Sequence, residues 1–85
     1  MGKRIEEASQ YCGVPCDLIV HFIDEEWIRP MDLEARILDD EDLARIDLIW
    51  DLTERLGVNE EGVPIILHLI DQLNRFHLEL TRDRD

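Results

Sequence analysis

The side chains able to do chemistry are sparse in this chain, and their spacing points to recognition. Cys12, Cys16 and His21 lie close in sequence, yet they match no zinc pattern and no second Cys/His cluster completes a site. Cys12 reads as a small core residue. His68 and His77 stand too far apart on one predicted helix to share a close site, and they read as surface or seam residues. The paired acids Asp39–Asp40 and Glu60–Glu61 fall where helices begin, which suits the helix dipole and not a catalytic dyad. Ser9 has no nucleophile context, and there is no glycine-rich phosphate loop. No catalytic residue, metal or cofactor is therefore expected. What remains is a stretch of concentrated charge. Cys16 to Glu26 holds Asp17, Asp24, Glu25 and Glu26 and no Lys or Arg. A carboxylate facing a phosphate is repelled by roughly 1 kcal/mol per close pair in water. Leu18 and Val20 fall at outward positions of the same stretch, and an acidic rim around exposed aliphatics suits a basic protein surface. An ordinary solvated helix face would have the same composition.

Composition bounds the rest. Eighty-five residues make one domain, spanning 1–85, with a modest core that oligomerisation commonly supplements. Net charge is −12, from 21 acidic and 9 basic residues. That balance argues against nucleic acid, whose affinity rests on Lys and Arg, and favours a basic partner. No apolar run approaches a membrane span. Two cysteines and no signal peptide imply reduced thiols and a cytoplasmic location.

The elements that must position these residues are helical. Ile5, Ala8 and Cys12 fall at helical spacing, so a first helix is expected over 5–12, ended by Gly13. Pro15 suits the first position of a second helix, 15–25, with Ile19, Phe22 and Ile23 inward. The two form a helix-turn-helix. Trp27-Ile28 reads as a short extended piece, and Met31 to Leu38 leaves open a small strand or wing. Asp39 caps a third helix, 40–56, whose apolar face is Leu43, Ile46, Ile49, Trp50, Leu52 and Leu56; Trp50 is expected to be partly buried. Gly57 hands over to a long helix near 60–81, and Thr81 to Asp85 reads as a solvated tail. Pro64 implies a distorted or tightened first turn, or a regular helix that starts nearer Gly62.

The long helix carries Ile66, Leu69, Leu73, Phe76 and Leu80 at steps of three and four, an a/d heptad seam. Val63, Leu67 and Ile70 lie beside that seam on the first turns only. The helix is thus expected to pack on its own domain at one end and on a partner helix at the other, giving a homodimer.

Gly13-Val14, the stripe Ile19 and Phe22, and Trp27-Ile28-Arg29-Pro30 resemble the helix-turn-helix of the MerR superfamily. Arg36-Ile37-Leu38 followed by Asp39 to Ile46 resembles that superfamily's wing and next helix. Leu56-Gly57-Val58-Asn59, then Gly62-Val63 leading into Ile66-Leu67 and the run Leu69 to Leu73, are similar to the chaperone-modulator branch, the CbpM family. The resemblance extends from Ile5 to about Leu80. It implies an all-α homodimer, a MerR-like helix-turn-helix followed by a helix and a long C-terminal dimerisation helix. It implies binding to the J-domain of a DnaJ-like co-chaperone (CbpA type), blocking its work with the chaperone DnaK. DNA-binding relatives carry an Arg-Tyr pair on the second helix. Val20 and His21 stand there instead, and the wing is acidic with Asp32 and Glu34. Relatives often have Gly where this chain has Glu26.

The partner surface expected from these features is the face bearing Asp17, Leu18, His21, Asp24 and Glu25, with Asp47 and Asp51 of the third helix. Neither nucleic acid nor membrane is an expected partner. A degenerate MerR-type transcription regulator, or a small dimeric adaptor for another partner, are the alternative readings.

Overall fold

A computed structural model describes residues 2–32 and 34–83, with side chains through Thr81. Met1 of the polar start, Leu33 of the expected wing, and Arg84 and Asp85 of the expected tail lie outside the described residues.

The chain is all-helical: α1 (Ile5–Cys12), α2 (Cys16–Asp24), α3 (Asp40–Trp50), a π-helical segment (Asp51–Arg55) and α4 (Gly62–Asp83). Among the described residues there is no strand. Two isolated bridges, Lys3 with Leu38 and Asp32 with Ile37, mark the wing region. The first pins the start of the chain to the entry of α3, through Lys3 N–H to Leu38 O at 2.7 Å and Leu38 N–H to Lys3 O at 2.8 Å.

Local chemistry sets each boundary. Gly13 ends α1 at φ 72°, a left-handed conformation that costs glycine nothing. The Ser9 hydroxyl donates to Val14 O at 2.6 Å and braces the turn into α2. Pro15, expected as the first residue of α2, stands at its N-cap, and the helix begins one residue later at Cys16. Asp39 caps α3: its carboxylate accepts from Asp42 N–H at 2.9 Å while the Asp42 carboxylate accepts from Asp39 N–H at 3.0 Å.

One cluster of Ala8, Ile19, Phe22, Leu38, Ile46 and Val63, with its buried neighbours, draws on every α-helix. Trp27 and Ile28 are bent and buried in it, and so they are not the extended piece that their composition suggested. Trp50 is half-buried.

The third helix departs from its expected course after Trp50. Leu56 N–H bonds to Asp51 O at 3.1 Å, a π register, and the Thr53 hydroxyl reaches Ile49 O and Trp50 O. The wider turn advances the chain by one residue on the helix wheel. Leu52 stays in the core while Leu56 is left 72% exposed. Leu56 is therefore not part of the apolar face.

Pro64 does not kink α4. It is the third residue of that helix, where its missing N–H has no intrahelical partner to lose. The tightened turn lies just ahead of it: Asn59 closes onto Gly62 through both its carbonyl (3.0 Å) and its side-chain oxygen (2.9 Å). Downstream, α4 continues through Thr81 to Asp83, where a tail was expected.

Candidate partner-binding surfaces

The end of α2 is built around one misfit residue. Glu26 N–H bonds to Ile23 O and Trp27 N–H to Phe22 O, both at 3.0 Å, which is the Schellman pattern of helix termination. The apolar contact that accompanies this motif is Trp27 on Phe22, with ring centroids 5.7 Å apart. The motif requires a left-handed residue at its turn, and Glu26 occupies it with φ 62°. A residue with a Cβ pays about 1 kcal/mol there that glycine would not.

α2 turns Asp17 and Asp24 to solvent on one face, one heptad apart, with Glu25 exposed beside them. Leu18 and Val20 differ from expectation. Both are half-buried, and Leu18 packs against the core cluster, so the exposed aliphatic patch does not form. His21 is also half-buried. Its Nε2 meets the Glu60 carboxylate, and its ring stands edge-on to Trp27 at 5.6 Å. At this position DNA-binding relatives aim a side chain outward; here it ties α2 to the turn before α4. Glu60 and Glu61, both exposed, thereby extend the acidic face of α2.

Asp47 of α3 and Asp51, the first residue of the π-helical segment, stand one turn apart. Asp47 lies against Cys12 at the end of α1. Burial pushes the Cys12 thiol up to about 11, and the charge of Asp47 and its hydrogen bond add to that rise. The Cys12 S–H donates toward Leu43 O at 3.8 Å. Asp51 is exposed and sits 3.7 Å from Arg55 one turn on. On the opposite side of α3, Arg45 clamps three elements. Its Nε donates to Trp27 O at 3.1 Å, and its two terminal nitrogens meet the Asp71 carboxylate at 2.7 and 3.0 Å. That hydrogen-bonded pair holds the Asp71 carboxyl below the ordinary aspartate range.

α4 carries the second surface. Val63 and Leu67 are buried and Ile66 and Ile70 half-buried; from Asp71 to Thr81 every side chain is exposed. Leu69, Leu73, Phe76 and Leu80 are 53, 67, 60 and 52% exposed. Ile66, counted in the seam from its spacing, sits at the border of the intramolecular contact. Ile65, at 62% exposure, extends the open stripe toward the N-terminus of the helix. An i, i+4, i+8 reading through Leu69 and Leu73 marks it in the sequence.

Two cavities flank the Glu26 turn. One, about 500 Å³, lies between that turn, Glu41 and Arg45 of α3, and His68 and Asp71 of α4. The other, about 550 Å³, is lined by Asp24, Glu26, Arg29, Pro30 and Arg36 over Ile28. Glu26, Arg29 and Arg36 were not among the expected site residues; a Glu where relatives often have Gly is the mark that the sequence carries for Glu26. Among the described residues no group of three or more His, Cys, Asp or Glu is arranged to hold a metal ion, and no helix is long and apolar enough to cross a membrane. No match was found among curated proteins or among solved structures. Residues 4–84 match the family described as MerR HTH family regulatory protein. With that match running nearly the length of a helix-turn-helix followed by a long helix, the chain belongs to the MerR helix-turn-helix regulatory family.

Proposed function

We propose that this protein is a non-enzymatic, cytoplasmic modulator that binds the J-domain of a DnaJ-like co-chaperone and inhibits it by competing with DnaK. The reading rests on the resemblance to the CbpM branch and on one observation. The helix that would enter a DNA groove presents Asp17, Asp24 and Glu25, has no Lys or Arg, and turns His21 onto Glu60. Placing those carboxylates against phosphates adds repulsion at every contact. Against a basic helix the same charges accelerate association and fix orientation.

The working form is a symmetric homodimer. A helix extension of about 20 Å beyond the core, with an open leucine-rich stripe, is marginal in water unless a second helix covers it. The seam is self-complementary when two copies run antiparallel: Leu73 meets Phe76 of the other copy, and Leu69 meets Leu80. The proposed docking face comprises Asp17, Leu18, His21, Asp24 and Glu25, together with Asp47 and Asp51.

The double substitution Asp24→Lys with Glu25→Lys tests the face. Binding to an isolated J-domain at low salt should fall by about tenfold or more, while the dimer stays folded. Unchanged binding would remove α2 from the interface. A mobility shift of the wild type on random DNA at low salt would instead support a transcription regulator.

A further inference from the structure

We infer that the turn at the end of α2 and the cavity beside it form a bipolar docking site, in which Arg29 and Arg36 take a carboxylate of the partner and Glu26 takes an adjacent cation. The inference rests on the J-domain reading for the identity of the partner and goes beyond it in naming these residues and their chemistry.

Three observations carry it. First, Glu26 and Arg36 (φ 62° and 52°) are the non-glycine residues with positive φ among those described, and both line the same cavity. Glu26 stands where a Schellman turn favours glycine, so its side chain is kept against a conformational cost. Residues that break a local rule in this way concentrate at functional positions. Second, carboxylates outnumber cations 21 to 9 in this chain, yet the guanidiniums of Arg29 and Arg36 make no ion pair among the described residues, although both are exposed on one cavity. A guanidinium is a forked donor suited to a carboxylate. Third, Glu26 also borders the neighbouring cavity, beside Glu41. Arg29 borders both cavities as well, so groups of both signs meet around the turn. The occupant that fits is a protein surface on which a carboxylate stands next to a basic helix. A uniformly basic surface would leave Arg29 and Arg36 repelled, and a phosphate backbone would meet Glu26 and Asp24.

Glu26→Gly separates this role from a structural one. A residue of structural importance only would leave stability and binding moving together. The expected result is a rise in Tm of about 4–8 °C from relief of the left-handed strain, with binding to an isolated J-domain weakened about tenfold. Arg29→Gln with Arg36→Gln, two exposed positions, should weaken binding by a similar factor and leave Tm unchanged. If the wild type binds and both variants bind as tightly, the docking site is wrong while the functional reading stands. If the wild type itself fails to bind, both are wrong.

Discussion

Arg45 and Asp71 are joined by two parallel hydrogen bonds at 2.7 and 3.0 Å, at the last level where α4 touches the rest of the chain. Below Asp71 the helix is held by Val63 and Leu67; above it Leu73, Phe76 and Leu80 stand exposed. The guanidinium also reaches Trp27 O, so one side chain ties the Glu26 turn, α3 and the exit of α4 together. This clamp braces the long helix where it leaves the domain.

Asp71→Asn should therefore lower stability in a pH-dependent way. The hydrogen bond from Arg45 depresses the carboxyl's folded-state pKa. Its stabilisation is complete above the unfolded value of about 4 and disappears as pH falls through the lower folded value. Because Asp71 is half-exposed, the loss at pH 7 should be roughly 0.5–1 kcal/mol. Urea unfolding at pH 7 should show the variant less stable, and the deficit should shrink as pH is lowered through the acid range. An equal deficit at pH 7 and in acid would mean that the ion pair is not the cause.

The open seam makes a prediction about assembly. Leu73→Asp would place a charge at the centre of the proposed helix pair and should give a monomer or an unfolded chain in sedimentation at tens of micromolar. Orientation is read separately, in a Cys16→Ser background. Leu69→Cys should not cross-link to itself, because antiparallel pairing sets the two copies of that position about 16 Å apart. Ready disulfide formation at that position would mean parallel helices, and a monomeric wild type would remove the dimer.

The thiols should differ sharply in reactivity. Burial and Asp47 push Cys12 up to about 11, whereas Cys16 is exposed. Alkylation of the folded protein at pH 8 should modify one cysteine per chain, Cys16, as read by mass spectrometry. The same shift carries a sign for stability. The unfolded thiol ionises near 8.5 while the folded one stays protonated, so stability should decline as pH rises above that value. Cys12→Ala should flatten that alkaline limb.

Several parts of this architecture were legible from single residues. The three-and-four spacing of Ile5, Ala8 and Cys12, closed by Gly13, defines α1 because glycine alone relaxes freely into the left-handed cap. Asp39 ahead of Leu43 and Ile46 defines the start of α3, since a carboxylate there satisfies amides that no carbonyl can reach. The Val63 and Leu67 row gives out after Ile70, and that alone separates the packed end of α4 from its open end. The charge count and the missing Arg-Tyr pair set the sign of the expected partner.

Other features depended on contacts between segments far apart in sequence. The core, not helix propensity, places Leu18, so an outward wheel position became half-buried. The π turn at Asp51–Arg55 arises from packing that keeps Leu52 inward and releases Leu56, which no local pattern encodes. His21 meets Glu60, and Arg45 meets Asp71, across loops whose path periodicity does not specify. Glu26 stands out in the sequence as a Glu where relatives often have Gly, but its left-handed conformation was not legible, because the bonds to Phe22 and Ile23 that impose it exist only once Trp27 is seated in the core. Sequence thus determined which residues are apolar, capped or charged; the fold decided which of them meet, because burial and pairing are properties of neighbours in space.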